Sequence, residues 1–264
     1  MIDIEKIRTN FDFVKAETEE MVRETYRLRY NIYCLERGFE KSEDNTNGLE
    51  IDEYDVRSKH ALIRHCQSNT AIGSVRLILS DKSNIKQLFP IEHYCGKKID
   101  FNLLKHFLVP RHRIAEISRF GITKEFKRRA HEASTYSGAS DFVSYEDGNA
   151  TMDKRESPYI ILGLIALAFS LSKKYGITHW YAVMEPTLDR LLRRFGIKFI
   201  KLGPTMEYHG LRQPMFASVH ALLEEIYLVK KNLWDFIDSL DGIPDNFREA
   251  SDLDLPPSYS GTTG

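Results

Sequence analysis

The spacing of apolar positions changes several times along the chain, and each change marks a new element. Over 21–37 they recur at three- and four-residue steps. Val22, Tyr26, Arg29 and Tyr33 share one face, and Met21, Leu28, Ile32 and Leu35 form a stripe beside it. This period predicts a helix that stops at Gly38. Residues 41–48 are polar and turn-rich and read as an exposed loop. Residues 59–66 and 71–79 are strand-like runs around a short polar turn, the pattern of a hairpin. A third strand of mixed polarity covers 114–122, and Thr123, Glu125 and Phe126 open a short basic helix. Residues 134–157, rich in Ser, Gly, Asp and Tyr, read as a long loop of the kind that serves as a lid or binding loop. Pro158 then starts a helix whose interior, 160–174, is apolar nearly all round and is therefore expected to be buried on both sides. A strand at 178–184, a helix at 186–195, strands at 197–202 and 215–219 and an amphipathic helix at 221–240 follow. The hairpin is antiparallel, while a strand-helix-strand unit implies local parallel pairing. The expectation is a mixed sheet in a single α/β (α+β) domain over 1–240. A polar tail, 241–264, carries Pro256 and Pro257 and is expected to be flexible.

Composition narrows the function. The 264 residues are 42% hydrophobic and 28% charged, which excludes disordered and collagen-like chains. Lys plus Arg is 37 and Asp plus Glu is 38, so the basic excess usual in nucleic-acid binders is missing. The three cysteines, Cys34, Cys66 and Cys95, are odd in number and form no C-x-x-C pair. Neither a disulfide framework nor a zinc ribbon is expected, and a reducing compartment suits them. The first twenty residues are charged and lack an apolar signal region, and the longest apolar run, 159–171, is too short to cross a bilayer. A soluble, cytoplasmic protein is expected.

The chemistry concentrates in two places. Glu116-Ile117-Ser118-Arg119-Phe120 puts a carboxylate and a guanidinium close together in a strand. Such residues either lie on a solvated edge or are paired and used. Strict alternation sets Glu116 and Ser118 on one face and Arg119 on the other, and a β-bulge would bring them into one pocket. Glu50-Ile51-Asp52-Glu53-Tyr54-Asp55 is either a solvated loop or a set of partners for Arg29, Arg76 and Arg119. It lacks the alternation of a calcium loop. The nine histidines have no metal spacing, and no H-E-x-x-H, Walker loop or G-x-S-x-G elbow occurs. No metal is expected. An arginine–carboxylate cluster with aromatics suits direct transfer between two bound substrates.

Three segments together resemble acyl-homoserine-lactone synthases, in order and at about the family spacing. They are Tyr26-Arg27-Leu28-Arg29-Tyr30 running on to Tyr33, Gly38 and Phe39; Glu50-x-Asp52-x-x-Asp55; and Gly73-x-x-Arg76 with Glu116-x-Ser118-Arg119-Phe120. The second half is similar to a narrower group, the acyltransferases associated with PEP-CTERM/exosortase loci, which are relatives of long-chain N-acyl amino acid synthases. The likeness there rests on Trp180-Tyr181-Ala182-Val183-Met184-Glu185-Pro186, Leu192-x-x-Phe195-Gly196 and Glu207-Tyr208-His209-Gly210-x-Arg212-Gln213-Pro214. The matches cover roughly 20–220. They imply the GNAT acyltransferase fold, in which acyl donor and amine meet where the mixed sheet splays, with helices on its flanks and here an added C-terminal helix. The homoserine-lactone synthases carry Trp where Phe39 stands and commonly Phe where Tyr33 stands, which argues for an acceptor other than S-adenosylmethionine. The glycine-rich pyrophosphate loop of ordinary GNAT enzymes is replaced by Thr123-Lys124-Glu125-Phe126-Lys127-Arg128-Arg129.

The resemblance implies an N-acyltransferase that moves a long-chain acyl group from an acyl carrier protein thioester, less readily from acyl coenzyme A, to an amino acid. No bound cofactor is expected. Glu116 is the candidate base, with Ser118 and Arg119 beside it at the reacting centre. Arg29, Tyr33, Phe39, Asp52, Asp55, Arg76 and Phe120 are expected to form the acceptor site, the arginines orienting its carboxylate. Lys124, Lys127, Arg128 and Arg129 are expected to dock the acidic carrier. Two alternatives stay open. One is homoserine-lactone synthesis from S-adenosylmethionine. The other is a non-catalytic GNAT-like acyl-binding module, whose C-terminal helix, with Trp234, Phe236, Lys230 and Lys231, either lies on a membrane or partner or packs on the domain.

Overall fold

The computed structural model describes residues 4–45, 47–105, 107–126, 157–207, 210–245 and 247. A short helix, α1 (Ile4–Asn10), leads into an edge strand, β1 (Phe11–Ala16). Helix α2 (Glu19–Arg29) is capped by Thr18, whose hydroxyl oxygen accepts the Met21 N–H. The single helix expected over 21–37 instead changes winding at Tyr30 and continues as a π-helical segment, Tyr30–Glu36. Three consecutive side chains, Ile32, Tyr33 and Cys34, are buried there. Windings of this kind recur at functional sites.

The hairpin forms as expected from β2 (Ser58–His65) and β3 (Thr70–Leu79). Helices α3 (Pro90–Cys95) and α4 (Phe101–Lys105) precede β4 (Ile114–Ile122). The apolar helix α5 (Ser157–Tyr175) precedes β5 (His179–Met184). Then come α6 (Pro186–Arg193), the short β6 (Ile200–Lys201) and β7 (Met206–Glu207), β8 (Leu211–Ser218), α7 (Val219–Val229) and α8 (Lys231–Ser239).

The strands form one sheet in the order β1-β2-β3-β4-β5-β8-β6, with β7 on β8. Every pairing is antiparallel except β4–β5, which α5 links as a crossover. That one parallel pair is short. It runs from Ile114↔His179 to Ile117↔Ala182 and stops. Beyond it β4 stays paired to β3 as far as Ile122, and β5 to β8 as far as Met184. The sheet is therefore continuous at one end and split at its centre at the other.

Helix α5 lies against one face, where Ile160, Leu164 and Phe169 join Val75, Leu77 and Ile117 in the main core. It comes so close to β1 that a Cβ on Gly163 would sit 2.3 Å from the Phe13 ring. The opposite face carries a second cluster, with Phe89 and Ile91 of the α3 region over Ile78, Tyr181 and Phe216. The helix expected at 221–240 breaks at Lys230 (φ −142°, ψ 63°) into α7 and α8. The turn brings Leu233, Phe236 and Ile237 back onto the core, which a straight helix of that length would overrun. The aromatic face offered to a membrane is thus buried: Phe236 meets Phe13 edge-on and Trp234 lies against Phe247. Packing continues past residue 240, with Ile243 and Phe247 buried. Among the described residues no helix is long and apolar enough to cross a membrane.

A buried polar link ties α5 to the sheet. Trp180 Nε1–H donates to Ser172 Oγ (2.8 Å), and the Ser172 hydroxyl donates to the Ala168 carbonyl (2.7 Å). Ser172→Ala leaves the Trp180 N–H buried without an acceptor, at a cost of about 1–3 kcal/mol. Urea denaturation should show this loss with an unchanged m-value. A midpoint equal to that of the wild type would show that the link contributes nothing.

Candidate active site

Several elements deliver charge beneath the split half of the sheet. Arg29 ends α2, Glu50 and Asp52 lie on the loop before β2, and Asp55 starts a 3₁₀ turn, Asp55–Arg57. Arg76 sits within β3, and Ser118 and Arg119 within β4. Arg29 is fully buried and spends its fork on two carboxylates, Nε to Glu50 (2.5 Å) and both Nη atoms to Asp55 (2.7 and 3.0 Å). Arg76 Nη1 donates to Asp52 (2.6 Å) and Asp55 (2.8 Å), and its Nε to Ser118 Oγ (2.8 Å). Arg119 Nη2 reaches Glu50 (2.6 Å) and Glu40 (3.2 Å). Burial opposes the charge on Glu50, but Arg119 and Arg29 outweigh it and hold the carboxyl down at about 2. Asp55 is likewise held well below its usual range, burial being overcome by the Arg29 hydrogen bond and by Arg29 and Arg76. His60, 3.6 Å from Asp55, is kept neutral by burial and by Arg29, its pKa lowered to about 3.

The bulge considered from the sequence is present, and β4 is central rather than an edge. Arg76 faces Ser118 while Ser74 faces Gly121, so β4 holds one residue more than β3 between these pairs. Arg119 takes up the excess at φ 47°, a conformation that costs a non-glycine residue on the order of 1–3 kcal/mol. Its side chain therefore joins Glu116 and Ser118 on one cavity instead of pointing to the far face. The guanidinium lies over the Tyr33 ring, 5.2 Å from its centroid. Gly121 makes room for that ring, since a Cβ there would sit 2.8 Å from Tyr33 Oη.

The cavity measures about 620 Å³, a size that suits a small-molecule ligand. Its polar end carries Glu40, Asp52, Arg76, Ser118 and Arg119, and its apolar end Ile165, Leu188, Leu192 and Phe199. Glu116 lines it too, only 3% exposed, and accepts the Ile91 N–H (2.9 Å). Burial pushes its carboxyl up to about 8, against the Ile91 hydrogen bond and Arg76. A carboxyl that titrates near neutrality can give or take a proton there.

Of the residues picked from the sequence, Tyr33, Phe39, Asp52, Arg76, Glu116, Ser118, Arg119 and Phe120 line this cavity. Arg29 and Asp55 do not. Both are buried, Arg29 bonded to Glu50 and Asp55, and Asp55 bonded also to Arg76. Lys124 is exposed and its N–H donates to Glu36. Lys127, Arg128, Arg129 and 134–156 of the long loop lie outside the described residues. Glu185 and Arg212, paired at 3.4 Å in the cavity wall, were not picked as site residues. Their only signal was their place in the second-half segments that carry the resemblance. Among the described residues no His, Cys, Asp and Glu group of three or more could hold a metal ion.

Two variants rank the cluster. Asp55→Ala removes the buried carboxylate that Arg29 and Arg76 share and should cost roughly 3–5 kcal/mol. Asp52→Ala should cost distinctly less, because the Asp52 side chain is 23% exposed and water can replace it. Equal costs in chemical denaturation would contradict the geometry. Glu50 adds a pH dependence whose sign is fixed. Its folded pKa lies below its usual 4.5, so its contribution is complete above about 4.5 and is lost as the pH falls toward 2. Thermal melts across that window should show the loss in the wild type and less of it in Glu50→Gln.

Residues 28–136 match the family model of an acetyltransferase (GNAT) domain. Three solved structures are similar over nearly their whole length. TofI, in a ternary complex with an inhibitor and MTA, has a TM-score of 0.56 and 15% identity, covering 85% of this chain and 99% of that one. FeeM, an N-acyl amino acid synthase from uncultured soil microbes, has a TM-score of 0.51 and 10% identity over 84% and 96% of the two chains. BjaI, a CoA-dependent acyl-homoserine lactone synthase solved with MTA, has a TM-score of 0.50 and 16% identity over 92% and 99%. No curated protein matches the chain in sequence. At these identities the likeness is one of architecture: the splayed, mixed sheet is a GNAT fold.

Proposed function

We propose that the protein is an N-acyltransferase that transfers a long-chain acyl group from a phosphopantetheine thioester to the amine of an amino acid. The observation that carries this reading is a single cavity, opening where β4 and β5 part, with an apolar end, a charged end and a buried carboxyl between the strands. The acyl chain occupies the apolar end beside α5 and α6. The acceptor occupies the charged end. The amine nitrogen attacks the thioester carbonyl, and Glu116 takes its proton directly or through one water. The tetrahedral oxyanion is met by N–H groups on the β4 edge that β5 no longer covers. Collapse breaks the C–S bond, leaves the amide, and the departing thiolate takes up a proton. Ser118 Oγ accepts from Arg76 through a lone pair, which leaves its own hydrogen to donate.

The basic segment from Lys124 to Arg129 supports a carrier protein as donor, since complementary charge raises encounter rates with an acidic partner. BjaI is CoA-dependent, so both donors belong in the assay. Homoserine-lactone synthesis is the second reading. It is favoured by the fold shared with BjaI, an acyl-homoserine lactone synthase. Purified protein given acyl carrier thioester or acyl coenzyme A, with mixed amino acids or S-adenosylmethionine, separates the readings by the mass of the product. An N-acyl amino acid formed without S-adenosylmethionine supports the first. An acyl lactone that requires it overturns the first and establishes the second.

Glu116→Gln keeps the shape of the base but not its basicity, and should lower turnover by roughly 10²–10⁴-fold. The wild-type kcat/KM should rise with pH and inflect near 8, where Glu116 ionises. The variant should lose that inflection. Turnover within a few-fold of wild type, or an inflection that persists, would remove Glu116 from the mechanism.

A further inference from the structure

We propose that Phe199, braced by Trp180, is the stop that sets how long an acyl chain the site accepts. This deepens the proposed acyl transfer and rests on the acyl chain lying in the apolar end of the cavity. That end can be followed row by row along the sheet. On the α5 face, Ile117 of β4 pairs with Ala182 of β5. Both line the cavity, and Ile165 of α5 and Leu188 and Leu192 of α6 line it from the same core. The next row, one pleat repeat or about 7 Å toward the continuous end of the sheet, is Ala115, Trp180 and Ala217. None of these three lines the cavity, and each is at most 2% exposed.

Phe199 stands where the open row gives way to the closed one. It comes just before β6, whose Ile200 pairs with Phe216, so alternation turns its side chain to the face of Trp180 and Ala217. Its ring lines the cavity and stacks on the Trp180 indole, with centroids 6.3 Å apart and planes 22° from parallel. Trp180 in turn is fully buried, lies against Phe169 at 4.6 Å, and has its N–H held by Ser172. The Phe199 backbone is tied to α6, since its carbonyl accepts from Arg193 Nη2 (2.9 Å). An interior packed this closely does not open to admit extra atoms, so a chain that reaches Phe199 has to end there.

The consequence is a sharp choice of donor. Each methylene buried before the stop strengthens binding by about fourfold. Each one beyond it meets the aromatic stack and gains nothing. Selection of this kind acts on the acyl chain alone, whichever carrier brings it and whichever amine accepts it.

The test measures dissociation constants for non-hydrolysable thioether analogues of acyl-pantetheine, an even-numbered ladder from eight to eighteen carbons. Isothermal titration calorimetry reads them on wild type, Phe199→Leu and Phe199→Ala. Wild-type affinity should climb by about fourfold per methylene and then level or fall beyond one length. Phe199→Leu should move that break to longer chains by a two-carbon step, and Phe199→Ala at least as far, with shorter analogues within a few-fold of wild type. A wild type that gains affinity through the whole ladder overturns the inference, whether or not a variant folds. So does a break that stays in place, or an equal loss at every length. If neither Phe199 variant folds, Ala182→Val fills the last open row and should move the break to shorter chains; an unmoved break there overturns the inference. If no analogue binds, the acyl site falls and the stop with it. Acylation of amino acids is assayed in parallel. A break that moves while no amino acid is acylated supports the stop and counts against the N-acyl amino acid reading. Acylation with an unmoved break does the reverse.

Discussion

Three arginines and four carboxylates share the ground beneath the split sheet, and the rest of the site is arranged around their bonds. They come from α2, the π-helical segment's exit, the loop before β2, β3 and β4, so that satisfying them fixes five parts of the chain relative to one another. Arg29 and Asp55 are buried beyond the reach of water, where an unmatched charge is expensive. The cluster also sustains the strained backbone of Arg119, whose guanidinium must turn inward to meet Glu50. With that turn the bulge places Glu116, Ser118 and Arg119 on a single cavity.

The same arrangement divides the cavity electrically. At one end carboxylates and guanidiniums neutralise one another at close range. Glu116 is buried and accepts the Ile91 N–H, and burial outweighs that bond and Arg76, so it decides the proton affinity and lifts it towards neutrality. Two carboxylates on one site, Glu50 held near 2 and Glu116 near 8, thus serve different purposes. The first stays ionised and holds the scaffold, while the second can exchange a proton.

Much of this was legible in the chain. The strand at 114–122 has the bounds read from its pattern, and the crowding of Glu116, Ser118 and Arg119 pointed to a bulge because strict alternation would have split them. The acidic run paired with Arg29, Arg76 and Arg119 for the same reason, since charges in apolar surroundings need partners. Other features depend on contacts that no local pattern carries. β1 is six residues with a half-exposed face, and charged neighbours hide it. The π-helical winding at Tyr30–Glu36 and the break at Lys230 are both imposed by packing, since helical periodicity runs straight through them. Glu185 and Arg212 lie far apart in sequence, and only the antiparallel register of β5 on β8 brings them together.

The central claim is that acyl transfer takes place in the gap between β4 and β5. A crystal structure with a non-hydrolysable thioether analogue of a long-chain acyl-phosphopantetheine tests it most directly. The account predicts the acyl chain among Ile165, Leu188, Leu192 and Phe199, with the carbonyl oxygen in hydrogen-bond range of the β4 edge beyond Ile117. An analogue bound outside the split, or one whose chain runs away from α5 with its carbonyl remote from β4, would contradict it.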